Sequence, residues 1–266
     1  MTPDQVTDTA ERLFQAEQSG TQIGLLSLQY PQMTMDDAYA VQAALVKRKI
    51  QSGRRVIGWK IGLTSRAMQM ALNIDIPDSG VLLDDMLFEN GATVPAGRFI
   101  QPRIEAEIAF VFKRDLDADN VTLFDVLNAT DYICPALEIL DTRILRVDPK
   151  TGQTRNVNDT IADNAANAGI VLGGNPVRAD SVDMRRVGAV VSRNGQVEET
   201  GLGAGVLNHP AQGIVWLANR LTTYGESIKQ GQIVISGSFI RPIEAPGGTT
   251  ISADFGDLGT VSGFFM

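Results

Sequence analysis

The chain reads as an α+β protein, or a mostly-β roll carrying short helices, and three observations predict it. Up to about residue 54 the apolar residues recur at helical spacing, with Val6, Ala10, Leu13 and Phe14 on one stripe and Ala38, Val41 and Leu45 on another. From Val56 onward the texture changes to short β-branched runs separated by glycine. In the stretch 103–112, Ile104, Ala106, Ile108, Phe110 and Phe112 alternate at period two, the pattern of a strand with one face on a core. Strands with intermittent short helices fit a roll better than a regular βαβ alternation.

The elements follow in order. Thr2, Pro3 and Asp4 start a helix that closes at Gly20. Thr34, with Asp37 in the third position, caps a second helix that runs to Gly53 and turns Ile50 inward with its apolar stripe. A strand over 56–62 precedes a short helix from Thr64 or Ser65 to Leu72, a loop over 75–80 and a strand over 81–83. Thr93 and Val94 mark another strand, and 103–112 follows. Thr122 and Asp125 have capping-box spacing for a helix to Asn128, leading into a strand over 133–140. The polar segment 142–158 is long for a connection and is a candidate binding loop or lid. A short helix over 159–167 and a strand over 170–172 come next, and Asn194-Gly195 predicts a tight hairpin. His209-Pro210 opens an amphipathic helix, and strands over 232–235, 249–255 and 259–264 end the chain.

Composition narrows the function classes. With 266 residues and 44% hydrophobic content the chain buries a sizeable core, read as a helical appendage (1–54) and a main domain (55–266). A formal net charge of -8 argues against a nucleic-acid partner, because phosphate binding needs a basic face. Cys134 is the only cysteine, so no internal disulfide forms and an intracellular setting is expected. The first residues lack a basic and apolar leader, and no run approaches the ~18 apolar residues of a membrane helix. The expectation is a cytoplasmic protein with no membrane partner.

The acidic residues carry the sharpest chemical signal. Alternation puts Arg103, Glu105 and Glu107 on one strand face, with the two carboxylates about 7 Å apart. Glu138 lies in an apolar strand, where a lone carboxylate is costly to bury. If the strands are neighbours, three carboxylates and water suit the oxygen shell of magnesium or manganese. The plain alternative is that Glu105 and Glu107 face solvent while Glu138 pairs with Arg143. Lys60, between Trp59 and Ile61, has apolar surroundings that disfavour its charge and suit it to proton transfer; otherwise it snorkels or neutralises the acids. Asp78, after Pro77, is a partner for Lys60 or a turn former. His209 is the sole histidine and no nucleophile elbow accompanies it, so it reads as a helix-start residue. The run Gly201 to Gly205 resembles a phosphate-binding turn but lacks the following strand, and a flexible loop is the better reading.

A wider pattern joins these pieces. Gly58-Trp59-Lys60-Ile61-Gly62-Leu63-Thr64-Ser65, Pro102-Arg103-Ile104-Glu105-Ala106-Glu107, Pro135-Ala136-Leu137-Glu138 and Ala162-Asp163-Asn164-Ala165 resemble the hydratase and decarboxylase branch of the fumarylacetoacetate hydrolase superfamily. The resemblance covers nearly the whole chain. It implies a mixed β-roll core of that superfamily's C-terminal-domain type, usually assembled as a homo-oligomer, and a lyase dependent on Mg2+ or Mn2+. By the same resemblance Glu105, Glu107 and Glu138 are metal ligands and Lys60 and Asp78 are acid/base residues; Arg103, by sharing the strand face of the glutamates, is expected either to orient substrate or to hold a glutamate charged. Ser79 departs from the aromatic residue found in relatives next to the aspartate. The implied reaction is addition of water to a small 2-oxo-4-enoate, five to seven carbons long. Its rivals are decarboxylation of 4-oxalocrotonate, hydrolysis of an acylpyruvate, and ligand binding without catalysis. A seven-carbon diacid also asks for a basic residue at its distal carboxylate, and Arg143, Arg155 and Arg241 are candidates by charge.

Overall fold

The computed structural model describes residues 1–66, 69–70 and 76–266. Helix α1 (Pro3–Ser19) is capped by Thr2 and ends on Gly20 in the left-handed region, at φ 65°. A single turn, α2 (Leu26–Gln29), is too short for periodicity to reveal. Helix α3 (Met35–Gln51) starts at the expected Thr34–Asp37 capping box. These helices bury Leu13, Leu26, Val41 and Leu45 together with Ile144 and Ile161 from later in the chain. Ile50 is exposed instead of inward, because its face of the last turn of α3 meets solvent.

The body is built on two sheets. Strands β1 (Val56–Gly62) and β2 (Asp78–Leu83) pair antiparallel, so residues 78–80 belong to a strand where a loop was expected. The expected short helix reaching Leu72 falls partly outside the described residues. After β3 (Leu87–Phe88) and β4 (Ala92–Val94) come the long strand β5 (Arg103–Phe112), helix α4 (Leu123–Ala129) and strand β6 (Thr130–Leu140). Helix α5 (Val157–Ala162) is shorter than the 159–167 expected: Asn164, Ala165 and Ala166 all adopt φ between 51° and 58°, which ends the helix and turns the chain into β7 (Asn167–Leu172).

Strands β8 (Gly188–Arg193) and β9 (Gln196–Leu202) form the hairpin predicted at Asn194-Gly195, both at positive φ. The glycine run after it is no flexible loop. Gly201 lies on β9, and a Cβ there would overlap the Phe239 carbonyl; one at Gly203 would overlap that of Met184. Close backbone approach explains these glycines. Helix α6 (Ala211–Thr222) and strands β10 (Ile233–Ile235), β11 (Ile243–Glu244), β12 (Thr249–Asp254) and β13 (Thr260–Phe265) complete the fold.

The larger sheet runs β2-β1-β10-β5-β6-β7-β3 with β11 on β5, and the smaller runs β4-β13-β12-β8-β9. It is a mixed α+β roll, since β1–β10, β3–β7 and β4–β13 pair parallel and the rest antiparallel. Ile104, Ile108 and Phe110 of β5 share one core with α6 and with Val191, Ile251 and Val261 of the smaller sheet. The opposite face of β5 and β6 carries Ala109, Cys134 and Ala136. That second face also presents the acidic residues. Among the described residues, no helix is long and apolar enough to cross a membrane.

Candidate active site

Strands β5 and β6 pair in a register that sets Glu105 opposite Glu138 and Glu107 opposite Ala136. One oxygen from each of the three carboxylates lies within 4.8 Å of the others. Glu107 and Glu138 are fully buried, and Glu105 is half-buried. The Gly237 amide donates to Glu107 Oε2 at 2.7 Å. Among the described residues, Glu107 Oε1 and both oxygens of Glu138 have no hydrogen-bond partner. Buried acceptors left this way are costly, and three carboxylates turned on one point repel one another. An all-oxygen donor set of this charge fits a hard divalent cation. Arg143, the alternative partner for Glu138, is instead buried against Asp163 at 2.5 Å.

Lys60 reaches the same cluster from β1, with Nζ 3.4 Å from Glu138 Oε1. The expectation that apolar surroundings disfavour its charge is reversed. Burial does push its pKa down, but Glu138, Asp78, Glu105 and Glu107 together hold it above the usual lysine range. The carboxyls shift up as well. Burial, reinforced by Glu138, pushes Glu105 up to about 8; burial also raises Glu107 and Glu138, although Lys60 opposes both. Asp78 stands opposite Gly62 on the neighbouring strand, and its pKa is raised by burial more than Lys60 and the Gly62 amide lower it. Gly62 is required here: a Cβ would overlap the Asp78 carboxylate and sit 2.9 Å from Lys60 Nζ.

A cavity of about 380 Å³ opens onto this cluster, and Lys60, Asp78, Glu105, Arg155, Ser238 and Arg241 are among its lining. A larger one, about 500 Å³, lies between Phe99, Arg146, Glu244 and Met266, and no residue of the acidic cluster lines it. Five of the six candidate residues, Lys60, Asp78, Glu105, Glu107 and Glu138, thus converge. Arg103 stands apart from them. Its Nε donates to Glu244 Oε1 at 2.6 Å, the oxygen that also accepts from Arg146 at 2.9 Å, and Arg103 does not line the smaller cavity. His209 is likewise outside the lining; its Nδ1 accepts the Ala211 amide at 3.1 Å, as a helix-start residue does.

Two contributors escaped the sequence. Gly237, at φ 112°, aims its amide at Glu107, and a Cβ there would overlap Thr64. The Asn164 side chain clamps the backbone of Val81 in β2, accepting from its amide at 2.8 Å and donating to its carbonyl at 2.9 Å. A glycine two residues after the buried triplet 233–235 is the one local signal for the first; the second is a long-range contact with none.

Comparison with known proteins adds to this geometry. No family model matches the chain. It is 53% identical over 257 residues to a 2-oxo-hept-4-ene-1,7-dioate hydratase of Escherichia coli, covering 97% of this chain and 96% of that protein. This chain belongs to the hydratase and decarboxylase branch of the fumarylacetoacetate hydrolase superfamily. A second relative in the branch, a 2-keto-4-pentenoate hydratase of Paraburkholderia xenovorans, is 41% identical over 98% of this chain and 95% of its own length. In three dimensions the chain superposes on the 4-oxalocrotonate decarboxylase of Pseudomonas putida G7, complexed with magnesium and adipate, at a TM-score of 0.93 and 34% identity. That match covers 100% of this chain and 99% of the other. The branch therefore holds both hydratases and decarboxylases on one fold.

Proposed function

We propose that this chain is a hydro-lyase dependent on Mg2+ or Mn2+. It adds water to a 2-oxo-4-enoate such as 2-oxo-hept-4-ene-1,7-dioate, giving 4-hydroxy-2-oxoheptane-1,7-dioate in the breakdown of aromatic compounds. The observation that carries this reading is the convergence of three carboxylates, two of them fully buried with unsatisfied oxygens, on Lys60 and Asp78 at one cavity. Identity of 53% to a hydratase of that substrate supports the choice of reaction.

Glu105, Glu107 and Glu138 would hold the cation. When bound, it supplies Lewis-acid stabilisation of the negative charge that develops on the 2-oxo group. Lys60 moves the proton: Nζ takes one from carbon three and returns one at carbon five, which shifts the double bond into conjugation with the ketone. Water then adds at carbon four and carbon three regains a proton. Lys60 must be neutral to begin, and sharing the glutamates with a cation removes part of what keeps it charged. Asp78 orients Lys60 and exchanges protons with it. Arg103 takes its role away from this cavity, holding Glu244 beside Arg146, two residues that line the larger one.

The second reading is decarboxylation of 4-oxalocrotonate, favoured by the likeness to the decarboxylase fold at a TM-score of 0.93. Mass analysis of products from five-, six- and seven-carbon dienol acids with magnesium separates the two. A hydroxylated product is expected, and evolved carbon dioxide without one sinks the hydratase reading.

Residues 1–54 serve as an appendage bracing the catalytic domain of 55–266, since Gln42 donates to the Ser79 carbonyl and Tyr39 accepts the Ser79 amide, next to Asp78. The enzyme works in the cytoplasm as a homo-oligomer. Exposed Val190, Val197, Leu202 and Phe264, all on the outer face of the five-stranded sheet, support self-association, which light scattering of the purified chain tests.

A further inference from the structure

Arg143, Arg155 and Arg241 differ in what holds their guanidinium groups. Arg143 is fully buried, bound by the Asp163 carboxylate and by two backbone carbonyls, and does not line the cavity. Arg241 lines the cavity, but its side chain is 82% exposed and is already paired with Glu199. Arg155 also lines the cavity, and it is half-buried. Its Nη1 is buried and has no hydrogen-bond partner among the described residues. Its backbone is anchored, since its amide donates to the Arg146 carbonyl at 2.9 Å beside the Val147–Thr154 bridge. A guanidinium on an anchored backbone, with a buried donor unspent, suits a planar carboxylate.

Its position along the cavity selects which carboxylate. Arg155 lines the cavity from the segment that also supplies Thr160, Ala165 and Ala166, whereas Glu105 of β5 marks the part of the lining that belongs to the glutamate cluster. A 2-oxo acid anchored by its head at that cluster would extend past Lys60 and Asp78 toward Arg155. Ala165 and Ala166, which also line the cavity, present only methyl groups and leave room for such a chain. We propose that Arg155 receives the distal carboxylate of a dicarboxylic 2-oxo-enoate and so sets a preference for diacids over monoacids, an inference that rests on the hydratase reading.

The test compares matched acids on the wild type, Arg155→Met and Arg155→Lys, each with magnesium. For turnover, 2-hydroxyhepta-2,4-diene-1,7-dioate is set against 2-hydroxypenta-2,4-dienoate. For binding without reaction, calorimetry sets 2-oxoheptanedioate against 2-oxoheptanoate, saturated acids with no double bond to hydrate. Loss of a charge-assisted hydrogen bond predicts that Arg155→Met weakens diacid binding and raises its KM by roughly 10- to 100-fold, leaves the monoacid within about twofold, and is partly rescued by lysine. An equal loss on both acids, or none on either, overturns the proposal. If wild type hydrates neither dienoate, the hydratase reading fails, and the binding comparison still decides for or against Arg155. Because no side-chain hydrogen bond holds its guanidinium among the described residues, the methionine variant is expected to stay close to the wild-type Tm.

Discussion

Glu105 and Glu138 face each other across neighbouring antiparallel strands of one sheet, and Lys60 Nζ lies 3.4 Å from Glu138. Two directly opposed like charges destabilise a strand pair, so the register is tolerable only with shared protons or a shared cation. This conflict makes the site experimentally accessible.

Glu105→Gln keeps the shape of the cluster and removes one charge. The metal-free variant is expected to be at least as stable as wild type, because like-charge repulsion falls. Wild type should gain about 2.7 kcal/mol from magnesium at a hundredfold excess over Kd, and the variant should lose that gain. Thermal melts with and without magnesium read both effects; an undiminished magnesium shift would remove Glu105 from the ligand set.

The raised carboxyl pKa values set the pH dependence of the metal-free protein. Glu105 titrates near 4.5 when unfolded and is pushed up to about 8 when folded, so the folded state holds protons that the unfolded chain releases. Stability from this group is fully present below about pH 4.5 and is lost as pH rises through about 8. A cation competes with those protons. Magnesium affinity should therefore rise with pH over the same window, and calorimetry in buffers of different ionisation enthalpy should detect proton release on binding. Affinity independent of pH would contradict the shift.

Lys60→Met removes the proton carrier but none of the carboxylates. Turnover is expected to fall by roughly 10²- to 10⁴-fold, with deuterium exchange from solvent into carbon three and carbon five of the 2-oxo acid lost in parallel. Magnesium should still bind, and more tightly, because a neighbouring positive charge has gone. Retained exchange in this variant would assign the proton transfer elsewhere.

Gly237→Ala meets two obstacles at once, a backbone at φ 112° and overlap with Thr64. A cost of about 1–3 kcal/mol in urea denaturation is expected, together with weaker magnesium binding as the amide donated to Glu107 shifts. A neutral effect on both would show that the Gly237 amide does not position Glu107.

Much of this was legible in the chain itself. Period-two alternation over 103–112 determines that Glu105 and Glu107 share a face, because a strand has no other way to place residues two apart. The capping boxes at Thr34 and Thr122 and the Asn194-Gly195 turn determine where elements start and reverse, since those signals act within a few residues. The motifs around Lys60, Glu105, Glu107 and Glu138 also marked the superfamily.

Only the tertiary structure decided the rest. Whether Glu138 meets Glu105 or Arg143 depends on strand register and on Asp163 claiming the arginine, and both are contacts between distant segments. The sign of the Lys60 shift turned on the sum of several carboxylates brought in by other strands, which outweighs the burial that Trp59 and Ile61 suggested. Arg103 shares a face with the glutamates yet is drawn to Glu244 of β11, a two-residue strand that no periodicity announces. Local pattern fixes which side of an element a residue faces; Coulomb forces and burial at a site depend on everything that folding packs around it.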